Sequence, residues 1–430
     1  MTIPVRARLA VLIVSYGNPF DINRCLKSLD RSTWTDFEVF VCENAGREAF
    51  GQLKRVLTGQ EGALEQIGNR SEAIDHPGGR LVLTEKCRLR GLNTVVRLAV
   101  ALENLGYAGG VNAWLERFVG QPGWAAVLVL NPDTEVGDTC LSELMAKAAD
   151  GFSMVGGTLV FSDAPDHVIN YGLLWSRITG RVTAVGWNSS AGSIASSEVL
   201  ASIDAISGAC VLVTRAFIEE VGLMTEDYFL YMEDLDWAQR RGKHRIGFAP
   251  RAVIRHVCGT SIGSAVDPKE RSPLSIYLTA RNSILYARRW AGWLWVFHFA
   301  TGILLATRYL VHGSPSAAKV ALVGLIDGAR GKCGRPDRLS WAKVGSPRAA
   351  VSLQAYVHQQ FGQHAQGSQS NHHGASAGHG SRAQPTSATG SVMIFLPITS
   401  RACARAASTA GLGTISERTK THVTRVRDQT

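Results

Sequence analysis

The chain opens on short, continuous hydrophobic runs. Residues 9–15, LAVLIVS, are aliphatic and β-branched up to a closing serine, and YGNP punctuates them. A run of this length, bounded by turn residues, predicts a strand buried on both faces. The apolar part, Leu9 to Val14, is too short for a signal-peptide core and reads as a first core strand. Over 21–30 the apolar positions Ile22, Leu26 and Leu29 fall at helical spacing, with Asp21 as a helix start. FEVFVC (37–42) repeats the strand pattern and ends at Glu43-Asn44. Strand, helix, strand at this spacing predicts an α/β unit with a parallel sheet.

Further along, 47–65 is compatible with a helix, 67–80 reads as an exposed insertion, and VVRLAVA (95–101) fits either a short strand or a helix. ENLGYAGGVNAWLERFV is a Gly-rich turn running into a helix, and AAVLVLNPDTEV is a strand with an acid just past its end. Residues 137–150 read as a helix, 152–161 as a strand and 162–200 as long loops or short strands. AISGACVLVT begins as a small-residue turn and becomes a strand, RAFIEEVG is a helix stopped by glycine, DLDWAQRRG is another, and KHRIGFAPRAVIRH reads as a strand pair around Pro250. Helices are expected over 271–290 and 316–333. Between them, 291–306 carries no Lys, Arg, Asp or Glu but holds Trp293, Trp295, Phe297 and Phe299, with Arg288, Arg289 and Arg308 as flanks. The run is shorter than the roughly 20 apolar residues of a membrane span, which it reaches only by extension across Arg308 to Val311. A helix in or against the membrane interface is the preferred reading, a buried core helix the alternative.

After about residue 340 the sequence turns His-, Gln-, Ser- and Gly-rich and cannot pack a core. Loose metal binding by its histidines ranks below plain disorder. The expected organisation is therefore a catalytic domain over 1–270, a helical and membrane-associated region over 271–340, and a disordered tail over 341–430. The net charge of +10 (Lys+Arg 45, Asp+Glu 35) fits an anionic membrane surface or an anionic substrate. With neither zinc-finger spacing nor an RNA-binding signature, no nucleic-acid partner is expected. The eight cysteines form no CxxC pair, and several sit in apolar runs, which predicts reduced thiols and a cytoplasmic protein.

The candidate chemistry lies in EDYFLYMEDLDWAQRRGKHRIGFAPRAVIRH (226–256) and at the strand ends. Glu233, Asp234 and Asp236 crowd one element behind the aromatics Tyr228, Phe229 and Tyr231; His256 closes the stretch, and Asp133 sits far upstream. Open α/β sheets bind ligands beyond the carboxyl ends of their strands, where Ser15-Tyr16, Glu43-Asn44 and Asn131-Pro132-Asp133 fall. Alone, each has a plain explanation: Asp133 a turn cap, His256 a satisfied structural histidine, Glu233 and Asp236 anions in a helix first turn, the aromatics core packing. Together they suit transfer from a nucleotide diphosphate. A divalent cation on oxygen and imidazole ligands neutralises the leaving group, and a carboxylate beside an aromatic shelf deprotonates the incoming hydroxyl.

VLIVSYGNP, FEVFVCENAG, ENLGYAGGVNAWL, VLVLNPDTEV, ISGACVLVTRAFIEEVGLMTEDYFLYMEDLDWAQR and PRAVIRHVCGTS, in this order over about residues 8–335, resemble the inverting nucleotide-sugar glycosyltransferases of family two, in particular the rhamnosyltransferase-like branch. The resemblance implies a GT-A fold: α/β, Rossmann-like, with a mostly parallel central sheet flanked by helices and a C-terminal helical extension. It also implies roles. Ser15 and Tyr16 would line base and ribose; Glu43 stands where the family usually has an aspartate that holds the base. Asn104 and the Gly106–Gly110 turn, Gly109 included, would pass close to the nucleotide. Asn131 and Asp133 match the metal-binding motif, Asp133 and His256 would hold Mn2+ or Mg2+, and Asp234 would be the catalytic base. Gly208 and Ala209 would shape the donor and acceptor pocket, with Tyr231, Glu233, Asp236, Trp237 and Arg240 around the sugar. The implied partners are a dTDP- or UDP-linked donor and a polysaccharide or lipid-linked glycan acceptor at the inner face of the cell membrane. Two other classes stay open: another nucleotide-sugar enzyme such as a nucleotidyltransferase, which would need a basic residue in YGNPFDIN, and a catalytically inactive scaffold, which would be expected to have lost Asp133, Asp234 or His256.

Overall fold

The computed structural model describes residues 8–67, 72–73, 79–257 and 271–336. The tail 341–430, Cys258, Cys403 and most of the 67–80 insertion lie outside them. The chain begins β1 (Leu9–Ser15), α1 (Pro19–Leu29), β2 (Phe37–Glu43), α2 (Arg47–Thr58), β3 (Leu64–Gln66), β4 (Glu72–Ala73), β5 (Leu81–Leu89), β6 (Val95–Ala101) and α3 (Gly106–Phe118). It continues through β7 (Ala126–Leu130), β8 (Thr134–Val136), α4 (Cys140–Ala149), β9 (Met154–Phe161), β10 (Val168–Asn170), β11 (Leu173–Trp175), β12 (Val182–Ala184), α5 (Ser196–Ser202), β13 (Cys210–Thr214) and α6 (Arg215–Val221). A 3-10 turn (Glu226–Tyr228), α7 (Glu233–Gln239), β14 (Ile246–His256), α8 (Pro273–Trp290), α9 (Trp295–Val311) and α10 (Pro315–Ala329) complete it.

One mixed sheet in the order β3-β5-β6-β2-β1-β7-β13-β9-β14-β8 organises the described residues. Its centre, β6-β2-β1-β7, is parallel, and β13 runs antiparallel between β7 and β9. The continuous apolar run of β1 follows from burial on both faces. Ala10, Leu12 and Val14 join Phe40 and Trp114 on one side; Leu9, Val11 and Ile13 meet Ile22, Leu26 and Leu53 on the other. The expected α/β architecture with a largely parallel core and helical C-terminal region is present. From β1 the order runs to β2 on one side and to β7 on the other, so the ends of β1 and β7 flank a topological switch point, where such sheets take ligands.

Three local expectations change. The helix after β2 stops at Thr58 and gives way to β3, because Gly59 and Gly62 intervene and a side chain at Gly62 would collide with the Leu57 carbonyl. Segment 95–101 is a strand, β6. The stretch around Pro250 is one strand rather than two: β14 pairs with β9 on both sides of a register shift between Ala249 and Val253. Proline lacks the N–H that a ladder needs, and a bulge absorbs it; the freed Pro250 carbonyl accepts from Thr158 Oγ1 at 2.9 Å.

Candidate active site

The polar ends of β1 and β2 are bound to each other. The Ser15 hydroxyl donates to Glu43 Oε2 at 2.6 Å, and the backbone amides of Gly17 and Ala45 donate to Glu43 Oε1 at 3.1 and 2.8 Å. Glu43 is fully buried, and burial raises its pKa against the pull of those three donors. Its carboxylate thus fixes the two strand-end loops, while Tyr16 beside it is 40% exposed. The Gly-rich start of α3 packs against this corner. Asn44 Nδ2 donates to the Gly106 carbonyl at 2.8 Å, and Asn104 Oδ1 accepts from the Gly106 amide at 3.0 Å. A Cβ on Gly110 would press on Val14 and Asn44, so glycine permits the approach. Gly109 faces the Arg80–Glu226 ion pair.

At the next strand end, the β8–β14 ladder joins two residues far apart in sequence. Ile254 pairs with Val136, Arg255 with Glu135 and His256 with Thr134. That register sets His256 Nε2 at 3.0 Å from Asp133 Oδ1, both side chains largely buried. Among the described residues, no three His, Cys, Asp or Glu side chains cluster closely enough to hold a metal by themselves. Two protein ligands suffice for a cation that completes its shell with substrate phosphates and water, as Mg2+ commonly does. The pair therefore fits Mn2+ or Mg2+.

The turn 207–209 links that strand end to the acidic helix. The Asn131 amide donates to the Ala209 carbonyl at 2.9 Å. The Gly208 amide donates to Asp234 Oδ2 at 2.9 Å, and the Leu235 amide to Asp234 Oδ1 at 2.8 Å. Asp234 sits in the first turn of α7, where a helix favours negative charge. Burial nonetheless raises its pKa, opposed by those amide hydrogen bonds. Tyr107, from the first turn of α3, donates its hydroxyl to the Gly208 carbonyl at 2.7 Å. Burial, and then the charges of Glu233, Asp234 and Asp133, hold that hydroxyl protonated. The strand end that carries Asp133 is thus bonded, through the Asn131 amide, to the turn that holds Asp234. Tyr107, which also fixes this turn, is a residue that sequence reasoning did not single out, although it lay inside the Gly-rich turn.

Other residues expected around the sugar serve the framework. Trp237 is fully buried, donates Nε1 to the Gly222 carbonyl at 2.9 Å and meets Phe217 edge-on at 5.5 Å, so its ring packs in the core and is not available to stack on a sugar. Asp236, also fully buried, accepts from Thr225 Oγ1, Tyr228 OH, Arg240 Nε and Trp290 Nε1. Arg240 also donates Nη1 and Nη2 to the Val221 and Leu223 carbonyls at 2.9 and 2.8 Å. The two oxygens of Asp236 are taken up by those four donors, and Asp236 and Arg240 together brace α7. Tyr228 and Phe229 are buried too, whereas Tyr231 is half-buried with its hydroxyl 3.2 Å from Ser275 Oγ. Glu233 is buried with Oε2 unpartnered, and burial and the neighbouring Asp234 push its pKa up to about 8.

No family model matches the chain. It is 21% identical over 246 residues to the low-salt glycan biosynthesis hexosyltransferase Agl10 of Haloferax volcanii, covering 55% of this chain and 76% of the relative. It is 30% identical over 220 residues to the N-acetylglucosaminyl-diphospho-decaprenol L-rhamnosyltransferase of Mycobacterium tuberculosis, covering 46% of this chain and 69% of the relative. Among solved structures, a Pyrobaculum calidifontis mannosyltransferase in complex with GDP-Man and Mn2+ aligns with a TM-score of 0.38 at 15% identity, covering 81% of each chain. Residues 1–349 of S. aureus TarS in complex with UDP-GlcNAc align with a TM-score of 0.42 at 13% identity, covering 77% of this chain and 82% of the other.

Proposed function

The chain belongs to the glycosyltransferase family of the mycobacterial L-rhamnosyltransferase, and from that premise we propose that it is a family-two, rhamnosyltransferase-like enzyme that moves a sugar, rhamnose favoured, from a dTDP- or UDP-linked donor to a polysaccharide or lipid-linked glycan with inversion. The observation that supports it is that the strand end carrying the Asp133–His256 pair is tied by the Asn131 amide to the 207–209 turn, whose Gly208 amide in turn holds Asp234. In this reading Ser15, Tyr16, Asn104 and Asn131 line the nucleotide, with Glu43 shaping their loops. Asp133 and His256 would hold Mn2+ or Mg2+, whose positive charge offsets that of the departing diphosphate. Asp234 takes the proton of the acceptor hydroxyl as that oxygen attacks the anomeric carbon opposite the leaving group. The amides of Gly208 and Leu235 hold its two oxygens in place, and Tyr107 fixes the Gly208 turn.

The region after residue 270 supplies a membrane contact in the same reading. Residues 292–311 are long and apolar enough to cross a membrane by length and composition. Trp293, Val296, Phe297, Leu304 and Leu310 are each more than half exposed, with Arg289 and Arg308 nearby. We favour an amphipathic helix seated in an anionic interface, at the inner face of the cell membrane, where a lipid-linked acceptor resides. The experiment is transfer from dTDP-L-rhamnose, UDP-GlcNAc and GDP-mannose, in separate assays, to a polyprenyl-diphosphate-linked sugar. The reading expects Asp234→Asn to lower kcat by about 10²–10⁴-fold with the fold retained. A folded Asp234→Asn variant with wild-type kcat would remove the base assignment.

A further inference from the structure

The four residues before α7 have an unusual backbone. Phe229, Tyr231 and Met232 have φ of 64°, 71° and 77°. Non-glycine residues rarely occupy this half of conformational space, and a run persists only where the surroundings over-determine it. Here every carbonyl from 228 to 231 is held from outside the loop. Arg281 Nη2 donates to Tyr228 O at 2.9 Å. Asn282 Nδ2 reaches Tyr228 O, Leu230 O and Tyr231 O at 2.9, 2.7 and 3.1 Å. The Tyr107 amide donates to Phe229 O at 2.8 Å. Arg281 and Asn282 are themselves buried and locked together, Arg281 Nε donating to Asn282 Oδ1 at 2.9 Å. Arg281 Nη1 donates to Gly334 O at 2.8 Å. Farther along α8, Trp290 Nε1 donates to Asp236 Oδ1 at 2.9 Å, so the same helix grips the segment on both sides of Asp234.

We propose that Arg281 and Asn282 are positioning residues for the transfer step: they hold 228–232, with its three positive-φ residues, in this path and thereby set where Asp234 points. The proposal rests on the reading of Asp234 as the base. A buried arginine-asparagine pair has no packing advantage over leucine in a helix. Its fixed donors reach three of the four loop carbonyls, of which Leu230 O and Tyr231 O would otherwise lose the side-chain donor that faces them. Release of the loop would leave Asp234 joined to Gly208 and Leu235 but free to shift with the start of α7. Misplacement of a reacting group by about 1 Å costs on the order of a hundredfold in rate.

The test uses the full chain, dTDP-L-rhamnose and two readouts. Asn282→Asp keeps the side-chain shape and replaces the donor with an acceptor facing three carbonyls. It is expected to lower kcat about a hundredfold, with KM for the donor within about threefold. Without substrate, amide exchange in the 226–235 peptide is expected to rise about tenfold. Arg281→Lys, which loses the fork, is expected to do both to a smaller extent. Arg288→Ala breaks the bonds from this helix to the Gly328 and Ala329 carbonyls without touching the loop carbonyls and should change neither readout. Unchanged exchange in folded Asn282→Asp overturns the clamp. Raised exchange with wild-type kcat keeps the clamp and overturns its catalytic meaning, while the role of Asp234 is decided separately by Asp234→Asn. A kcat loss shared equally by Arg288→Ala reduces the pair to general stability. Where Asn282→Asp does not fold, Arg281→Lys decides by the same criteria.

Discussion

Glu233 makes stability fall with pH, and Glu233→Gln should abolish that fall. The side chain is 4% exposed, its Oε2 has no hydrogen-bond partner, and the charge of Asp234 is adjacent. Burial first, and Asp234 second, raise its pKa from 4.5 to about 8. The folded protein therefore keeps a proton that the unfolded chain releases near pH 4.5. The favourable contribution is complete below pH 4.5, shrinks as pH rises through the window to about 8, and is gone above it. Each pH unit in the window costs about 1.4 kcal/mol, so the whole effect approaches about 5 kcal/mol as an upper bound. Glutamine copies the neutral form at every pH. Its amide adds a penalty of about 1–3 kcal/mol if it finds no partner, but that penalty does not vary with pH. Urea denaturation of both proteins from pH 5 to 9 reads the difference. The stability of Glu233→Gln relative to the parent should improve steadily up to pH 8 and level off beyond. Glu43 is raised in the same direction but is present in both proteins and drops out of the comparison; Asp234, coupled to Glu233, titrates more easily in Glu233→Gln, which adds to the difference in the same direction. A difference constant across this range would refute the burial argument.

Gly106→Ala adds a methyl directed at the Phe229 carbonyl from a residue with φ of +73°, and should cost about 1–3 kcal/mol in chemical denaturation while lowering kcat, because that contact ties α3 to the loop before Asp234. Trp237→Ala should destabilise by about 3–5 kcal/mol, the cost of emptying a fully buried aromatic site; a loss below about 1 kcal/mol would return the ring to the sugar pocket. Replacing Trp293 and Phe297 together by aspartate should abolish co-sedimentation with phosphatidylglycerol vesicles, and retained binding would remove helix α9 from the membrane contact.

The parallel centre of the sheet was legible because β1 and β2 are buried on both faces and carry unbroken apolar runs. Asp133 and Asp234 were legible because strand ends and helix first turns leave polar residues in recognisable places. Their partners were harder to find. The resemblance alone put His256 with Asp133; what brings them together is the register of β8 on β14, a pairing across more than a hundred residues that no local pattern encodes. The bulge at Pro250 makes one strand look like two. Trp237 and Arg240 stand beside the acids in sequence, yet α7 turns them toward Phe217 and toward the 221–223 carbonyls. Arg281 and Asn282 did leave a signal. They interrupt the buried stripe of α8 between Leu278 and Ile284, where a polar pair has to satisfy something.

The central claim is that Asp133 and His256 serve transfer from a nucleotide sugar through a divalent cation. Its most direct measurement is an Mn2+ titration of donor consumption, with dTDP-L-rhamnose and UDP-GlcNAc in separate assays, for the parent chain, Asp133→Asn and His256→Ala. The account predicts turnover that chelator abolishes and Mn2+ restores, with both variants needing about 10–100-fold more Mn2+ or losing activity. Full activity in chelator, or variants that follow the parent titration curve, would contradict it.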